Sequence, residues 1–117
     1  MPKKFMHSFK YAHAGTRHAL ATQRNIWIHL FVGLAAIVAA IWLRISLAEM
    51  ALLALTISFV IVAEMFNTAI EVVVDLAKPE KHPQAAIAKN VAAGAVLIAA
   101  LASILVGFFI FLPRLVK

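Results

Sequence analysis

The run Ala48–Leu76 reads AEMALLALTISFVIVAEMFNTAIEVVVDL. At about 1.5 Å per residue it is long enough, as a helix, to cross a hydrocarbon core of about 30 Å. Backbone facing lipid has to satisfy its own hydrogen bonds, so a run this long and apolar is a helix. Its polar residues are not scattered. After Glu49 at the start come Glu64, Asn67, Glu71 and Asp75, at spacings of three, four and four. At about 100° per residue they share one stripe less than a quarter-turn wide, with Thr68 beside it.

Two more runs of the same kind flank this one. Ile26–Leu47 holds a single charge, Arg44, near its far end, and Ala85–Leu112 has no acid and only Lys89 at its start. Ahead of them, Phe5, Phe9, Ala12, Ala19 and Leu20 fall near one helical face while Lys3, Lys10, Arg17 and Arg24 fall elsewhere. That pattern predicts an amphipathic helix lying on the membrane surface, bent at Gly15. A frayed basic tail that only sets topology is the plainer reading of the same residues. The expected architecture is an all-α membrane protein, one domain over residues 1–117, with three transmembrane helices and an N-terminal surface helix. Residues 1–25 hold no continuous apolar core, so no cleavable leader is expected there.

Composition agrees. Hydrophobic residues make up 64% of the chain and charged residues 14%, and the mean hydropathy is +0.95, which takes the chain out of the ordinary soluble class. The net charge of +6 would suggest nucleic acid in a soluble protein. Here the basic residues flank apolar spans, which points to anionic head groups and topology, with no nucleic acid partner. Cysteine is absent, so neither a disulfide framework nor a thiolate metal site is available.

Basic residues also predict orientation. Lys3, Lys4, Lys10, Arg17 and Arg24 precede the first span, and Lys78, Lys81 and Lys89 surround the second connection. The positive-inside rule puts both in the cytoplasm and the C-terminus outside. Around Ile45–Leu47 the first connection is nearly absent, so spans one and two form a tight hairpin. The second, Lys78-Pro79-Glu80-Lys81-His82-Pro83, is polar, Pro-bounded and a true loop. Trp27 and Trp42 bracket the first span as interfacial anchors, although Trp42 also fits a place inside the bundle.

Three carboxylates on one face of a membrane helix are costly unless paired, hydrated or bound to a cation. Pairing with Arg or Lys of neighbouring helices is one reading, but Arg44 is at the wrong end and mainly Arg17, Arg24 and Lys89 remain. A proton or ion path is a second. The third is a set of hard oxygen ligands that suits Mg²⁺, an ion that commonly arrives with nucleotide phosphates. In that case a deeper carboxylate acts as a base on a lipid-borne group. His7, His13, His18 and His29 show no metal-site spacing and read as surface or interface residues.

The segment Ala63-Glu64-Met65-Phe66-Asn67-Thr68-Ala69-Ile70-Glu71-Val72-Val73-Val74-Asp75 resembles the E-x-x-N-[ST]-A-I-E-x-x-V-D motif of the prokaryotic diacylglycerol kinase family. The resemblance continues through Glu80-Lys81-His82-Pro83 and Ala88–Val96, and covers Ser8–Tyr11 and Gly15–Arg17. Thr22-Gln23-Arg24-Asn25, the His-Pro pair and the Phe-Leu-Pro ending look more like the undecaprenol kinase branch.

That resemblance implies a homotrimeric lipid kinase of the bacterial cytoplasmic membrane, using ATP and Mg²⁺ on a lipid alcohol. No P-loop or Gly-rich nucleotide loop is present in the sequence. By position, Glu64 would be the general base for the lipid hydroxyl, with Gly94 also on the lipid side, and Asn67 would orient the catalytic carboxylate or the substrate. Glu71 would hold Mg²⁺, together with Gln23. Asp75 would organise the nucleotide side, where Lys4, Tyr11, Arg17, Glu80, Lys81, His82, Lys89 and Asn90 match the remaining positions. Read alone, Tyr11 is equally an interfacial anchor, His82 an exposed loop residue and Lys89 a topology charge.

Two positions depart from the family pattern. Gln23 stands in a T-E-R-N segment whose Glu joins the metal site, and Lys89-Asn90 stands for Lys-Asp. Each removes a negative charge with little change of shape, and a Gln carbonyl oxygen compensates Mg²⁺ charge less than a carboxylate does. Undecaprenol is the expected acceptor, with diacylglycerol as the alternative. A nucleotide-binding sensor without catalysis is the reading that the two lost acids motivate. An ion carrier built on the stripe leaves the Glu80–His82 loop and Lys89 unexplained.

Overall fold

The computed structural model describes residues 2–116. It contains four helices: α1 (Pro2–Thr22), α2 (Arg24–Trp42), α3 (Leu47–Ala77) and α4 (Pro83–Leu115). The last three are long and apolar enough to cross a membrane, and no strand occurs among the described residues. The all-helical, three-span architecture read from the sequence is therefore the one found. α1 runs unbroken through Gly15, which corrects the expected bend. A single helical glycine costs about 1 kcal/mol against alanine and does not by itself break a helix.

Local chemistry explains each helix end. At the end of α2, Ile45 N–H donates to the Ala40 carbonyl and Arg44 N–H to that of Ile41, with Arg44 at φ 56°. This is the hydrogen-bond pattern that closes a helix when a residue goes left-handed, here an arginine where glycine is usual. Ser46 then opens α3: its hydroxyl accepts from Glu49 N–H at 3.1 Å, and its own N–H donates to Glu49 Oε1 at 3.2 Å. The pair forms a reciprocal capping box. α4 begins with His82, whose Nδ1 accepts from Gln84 N–H at 3.1 Å, and Pro83 sits in the first turn, where its missing N–H costs nothing. The loop is thus confined to residues 78–82, and Lys89 lies inside α4.

α3 packs chiefly against α4 and next against α2, while α1 touches α2 and α3 more lightly. Ala40, Leu53 and Ile110 form the buried cluster where α2, α3 and α4 meet. α2 and α3 approach closely at Gly33, where an added Cβ would stand 2.8 Å from Ile57 Cγ2. Most other large apolar side chains face outward, as lipid-facing helices require, because burial inside the chain is not what holds them. Trp42 is among them at 82% exposure, so it sits on the outside and not in the bundle. Trp27 Nε1–H donates to the Leu20 carbonyl at 2.6 Å, tying α2 to α1 across the Gln23 joint.

Ion pairs fix the two ends of α3 against α4. Arg114 reaches Glu49 through Nη2–Oε1 at 2.7 Å and Nη1–Oε2 at 2.9 Å. At the opposite end Lys89 pairs with Asp75. The two acids stand about 39 Å apart along α3. That distance spans a hydrocarbon core of about 30 Å and part of each interface.

Candidate active site

Antiparallel packing sets the acidic stripe facing α2 and α4. Glu64 is the deepest acid and is 2% exposed. His29 of α2 stands against it, with Nε2 3.3 Å from Glu64 Oε1. Reading the histidines as surface or interface residues missed this contact, because the two residues belong to different helices and no spacing rule joins them. The helix register does. Gln23 lies six residues before His29, about 9 Å at helical rise, and Glu71 seven beyond Glu64, about 10 Å, so the antiparallel pair runs Gln23 toward the level of Glu71.

One turn along α3 from Glu64 toward Asp75, Asn67 Nδ2–H donates to Glu71 Oε1 at 2.9 Å. Cβ atoms lean toward a helix N-terminus, so the longer Glu71 reaches back to Asn67 at the i, i+4 spacing. Asn67 thus holds the Glu71 carboxylate, while Glu64 is met by His29. Asn67 Oδ1 is buried with no partner, an arrangement that asks for a donor or a cation. The free oxygen of the amide beside a fixed carboxylate is a hard-oxygen pair that fits Mg²⁺ or one of its waters. No group of three His, Cys, Asp or Glu side chains gathers to cage a metal among the described residues. An ion held here would take its remaining ligands from phosphate and water, the usual habit of Mg²⁺.

Toward the loop the stripe opens into a cleft of about 540 Å³, lined by Asp75, Lys78, Glu80, Lys81, His82, Lys89 and intervening residues. Lys78 lies 3.9 Å from Glu80, a loose exposed pair. With His82 Nδ1 accepting at the start of α4, its Nε2 is the ring nitrogen left to meet a ligand. Lys4 and Tyr11 line a different hollow on α1, with Lys3, His7 and Ser8, and Tyr11 is 70% exposed. Arg17 and Asn90 are exposed, while Gln23 is the half-buried extended residue between α1 and α2. Gly94 faces open space, with nothing within 4 Å of where a Cβ would stand. Most of the expected residues therefore fall into three groups, the Glu64–Glu71 face, the loop cleft and the α1 hollow, while Arg17, Gln23, Asn90 and Gly94 join none of them.

Comparison with known proteins gives this arrangement its class. Residues 10–111 match the family model described as prokaryotic diacylglycerol kinase. A protein of Synechocystis named diacylglycerol kinase is 50% identical over 111 residues, covering 94% of this chain and 63% of that one. A Bacillus subtilis protein named undecaprenol kinase is 37% identical over 112 residues, covering 96% and 91%. The chain thus spans a little under two thirds of the first relative's length. It belongs to the prokaryotic diacylglycerol kinase family, a family of membrane lipid kinases.

Proposed function

We propose that this chain transfers the γ-phosphoryl group of ATP to the primary hydroxyl of a membrane lipid, with undecaprenol as the acceptor. The observation that carries the reading is the buried Glu64, set below a carboxylate–amide pair and a lysine-lined cleft. Phosphoryl transfer needs in-line positioning and charge neutralisation more than covalent help from the protein. The face and the cleft supply groups for both.

Glu64 accepts the proton of the lipid hydroxyl as its oxygen attacks the γ-phosphorus. Glu71, held by Asn67, and the Gln23 carbonyl oxygen at its level are the residues that would hold Mg²⁺, with Asn67 Oδ1 toward the ion or its water. When bound, Mg²⁺ neutralises charge on the phosphates. Lys89, Lys81 and His82 meet phosphate oxygens, with Asp75 fixing Lys89, while Lys4, Tyr11, Arg17, Glu80 and Asn90 complete the nucleotide side. Gly94, with no side chain in the open space beside it, admits the lipid. The reading includes a homotrimer in the bacterial cytoplasmic membrane, with the N-terminus and the loop inside.

Undecaprenol rests on the Thr22–Asn25 segment, the His82-Pro83 pair and the Phe-Leu-Pro ending. Diacylglycerol is the second reading, favoured by the higher identity to the Synechocystis protein of that name. The test is purified protein with radiolabelled ATP and Mg²⁺, given undecaprenol, diacylglycerol or no lipid. Label passes to undecaprenol fastest. Faster transfer to diacylglycerol replaces the acceptor, and nucleotide binding without transfer to either lipid replaces the kinase by a sensor.

A further inference from the structure

We infer that His29 is a positioning and proton-accepting partner of Glu64, which makes the base of this chain a carboxylate–imidazole pair. The inference rests on Glu64 being the base. The Glu64 side chain is 3% exposed, and His29 Nε2 stands 3.3 Å from its Oε1. His29 itself keeps 26% of its side chain exposed and lines a cavity of about 240 Å³ between α2, α3 and α4, with Gly33, Thr56, Ser103 and Gly107. Thr56 and Ser103 spend their hydroxyl protons on the Leu52 and Ala100 carbonyls of their own helices. Among the described residues lining that cavity, His29 is the titratable one.

The surroundings leave little else for a proton to reach. From α3 the group facing His29 is Glu64. From α4 no charged residue stands between Lys89 and Arg114, and both of those are paired at the helix ends. On α2 itself Arg24 is exposed, and the basic side chains of α1 from Lys3 to His18 are exposed as well.

Proton balance gives His29 its role. The lipid O–H bond breaks and its proton goes to the Glu64 carboxylate. The oxygen forms its bond to the γ-phosphorus, and the bond to the β–γ bridging oxygen breaks with its electron pair leaving on ADP. Glu64 is then a carboxylic acid in a site nearly closed to water and must lose the proton before the next turnover. Neutral His29, its own proton on Nδ1, accepts the Glu64 proton on Nε2 and becomes imidazolium beside the restored carboxylate; a proton then passes to solvent water as the ring returns to its Nδ1–H tautomer. A purely structural His29 would only keep Glu64 in place.

His29→Gln and His29→Asn keep a polar side chain near Glu64 but cannot carry the proton. In the full chain reconstituted in lipid vesicles with MgATP, kcat falls about 10²-fold in both, the lower part of the range for acid–base catalysis. KM for ATP and for lipid, and the nucleotide Kd, stay within about twofold of wild type. The limb of the kcat–pH profile that belongs to an imidazole disappears. A kcat within about twofold of wild type overturns the inference, and so does a fall in kcat matched by loss of nucleotide binding, which marks a folding role. Should neither variant assemble, ring-¹⁵N histidine titrations of wild type and Glu64→Gln decide: one histidine midpoint shifts, and five unchanged histidines overturn the inference. An active Glu64→Gln breaks the kinase assignment of Glu64, whereas an inactive one beside a fully active His29→Gln breaks only the pairing.

Discussion

The two ends of the α3–α4 pair are built from the same materials and finished differently. At the Glu49 end one carboxylate accepts from the Ser46 N–H and from two guanidinium nitrogens of Arg114. The turn before it is closed by helix-ending hydrogen bonds. Glu49, the Ser46 hydroxyl and N–H, and Arg114 are all answered there within the chain. At the Asp75 end the single Lys89 pair is half exposed, the loop charges face a cleft, and a buried amide oxygen has no partner. Answered polar groups fix a structure, while unanswered ones in a low-dielectric setting are held for a ligand. One end is therefore a clamp and the other the candidate site.

Substitutions test that division from its strongest point downward. Glu64→Gln removes the proton acceptor and keeps the shape. Lipid phosphorylation drops by at least about 10³-fold with nucleotide binding retained, read by label transfer and equilibrium binding. Asn67→Ala frees the Glu71 carboxylate, and the Mg²⁺ concentration for half-maximal rate rises about 10- to 100-fold, the usual cost of losing a group that orients a metal ligand. Unchanged Mg²⁺ dependence would place the ion elsewhere. Gln23→Glu restores a carboxylate at the level of Glu71 and lowers the Mg²⁺ requirement several-fold. Arg114→Met releases the clamp: thermal unfolding moves down by a few degrees while kcat and both KM values stay put. A loss of activity there would erase the distinction between the two ends. Arg44→Gly, in the left-handed position that glycine prefers, raises stability by up to about 1 kcal/mol in a denaturation series.

The stripe was legible because Glu64, Asn67, Glu71 and Asp75 lie on one helix, where spacing alone fixes a face. Helix ends were less so: the spans read as Ile26–Leu47 and Ala85–Leu112 are α2 ending at Trp42 and α4 starting at Pro83, and α1 runs straight through Gly15. What the sequence hid was everything that depends on how two helices are aligned. His29 meets Glu64, and Arg114 meets Glu49, through the antiparallel alignment of neighbouring helices, close-set between α2 and α3 at Gly33, and no periodicity of one helix reports it. Asn67's choice of Glu71 over Glu64 was likewise a matter of side-chain direction and reach. The separation of the α1 hollow from the loop cleft was also out of sight, since it depends on where α1 lies beside the bundle.

The acid–base pairs at the two ends of α3 and α4 also act as a gauge of bilayer thickness. Charged groups resist entering hydrocarbon, so the pairs seek opposite head-group layers about 39 Å apart. A thinner bilayer forces the helices to tilt or the lipid to stretch, at a cost of fractions of a kcal/mol per ångström of mismatch. Glu64 rides on the same rigid rod, about 16 Å from Asp75. Lipid thickness therefore alters the tilt of that rod and, with it, the depth of Glu64 beneath the head groups.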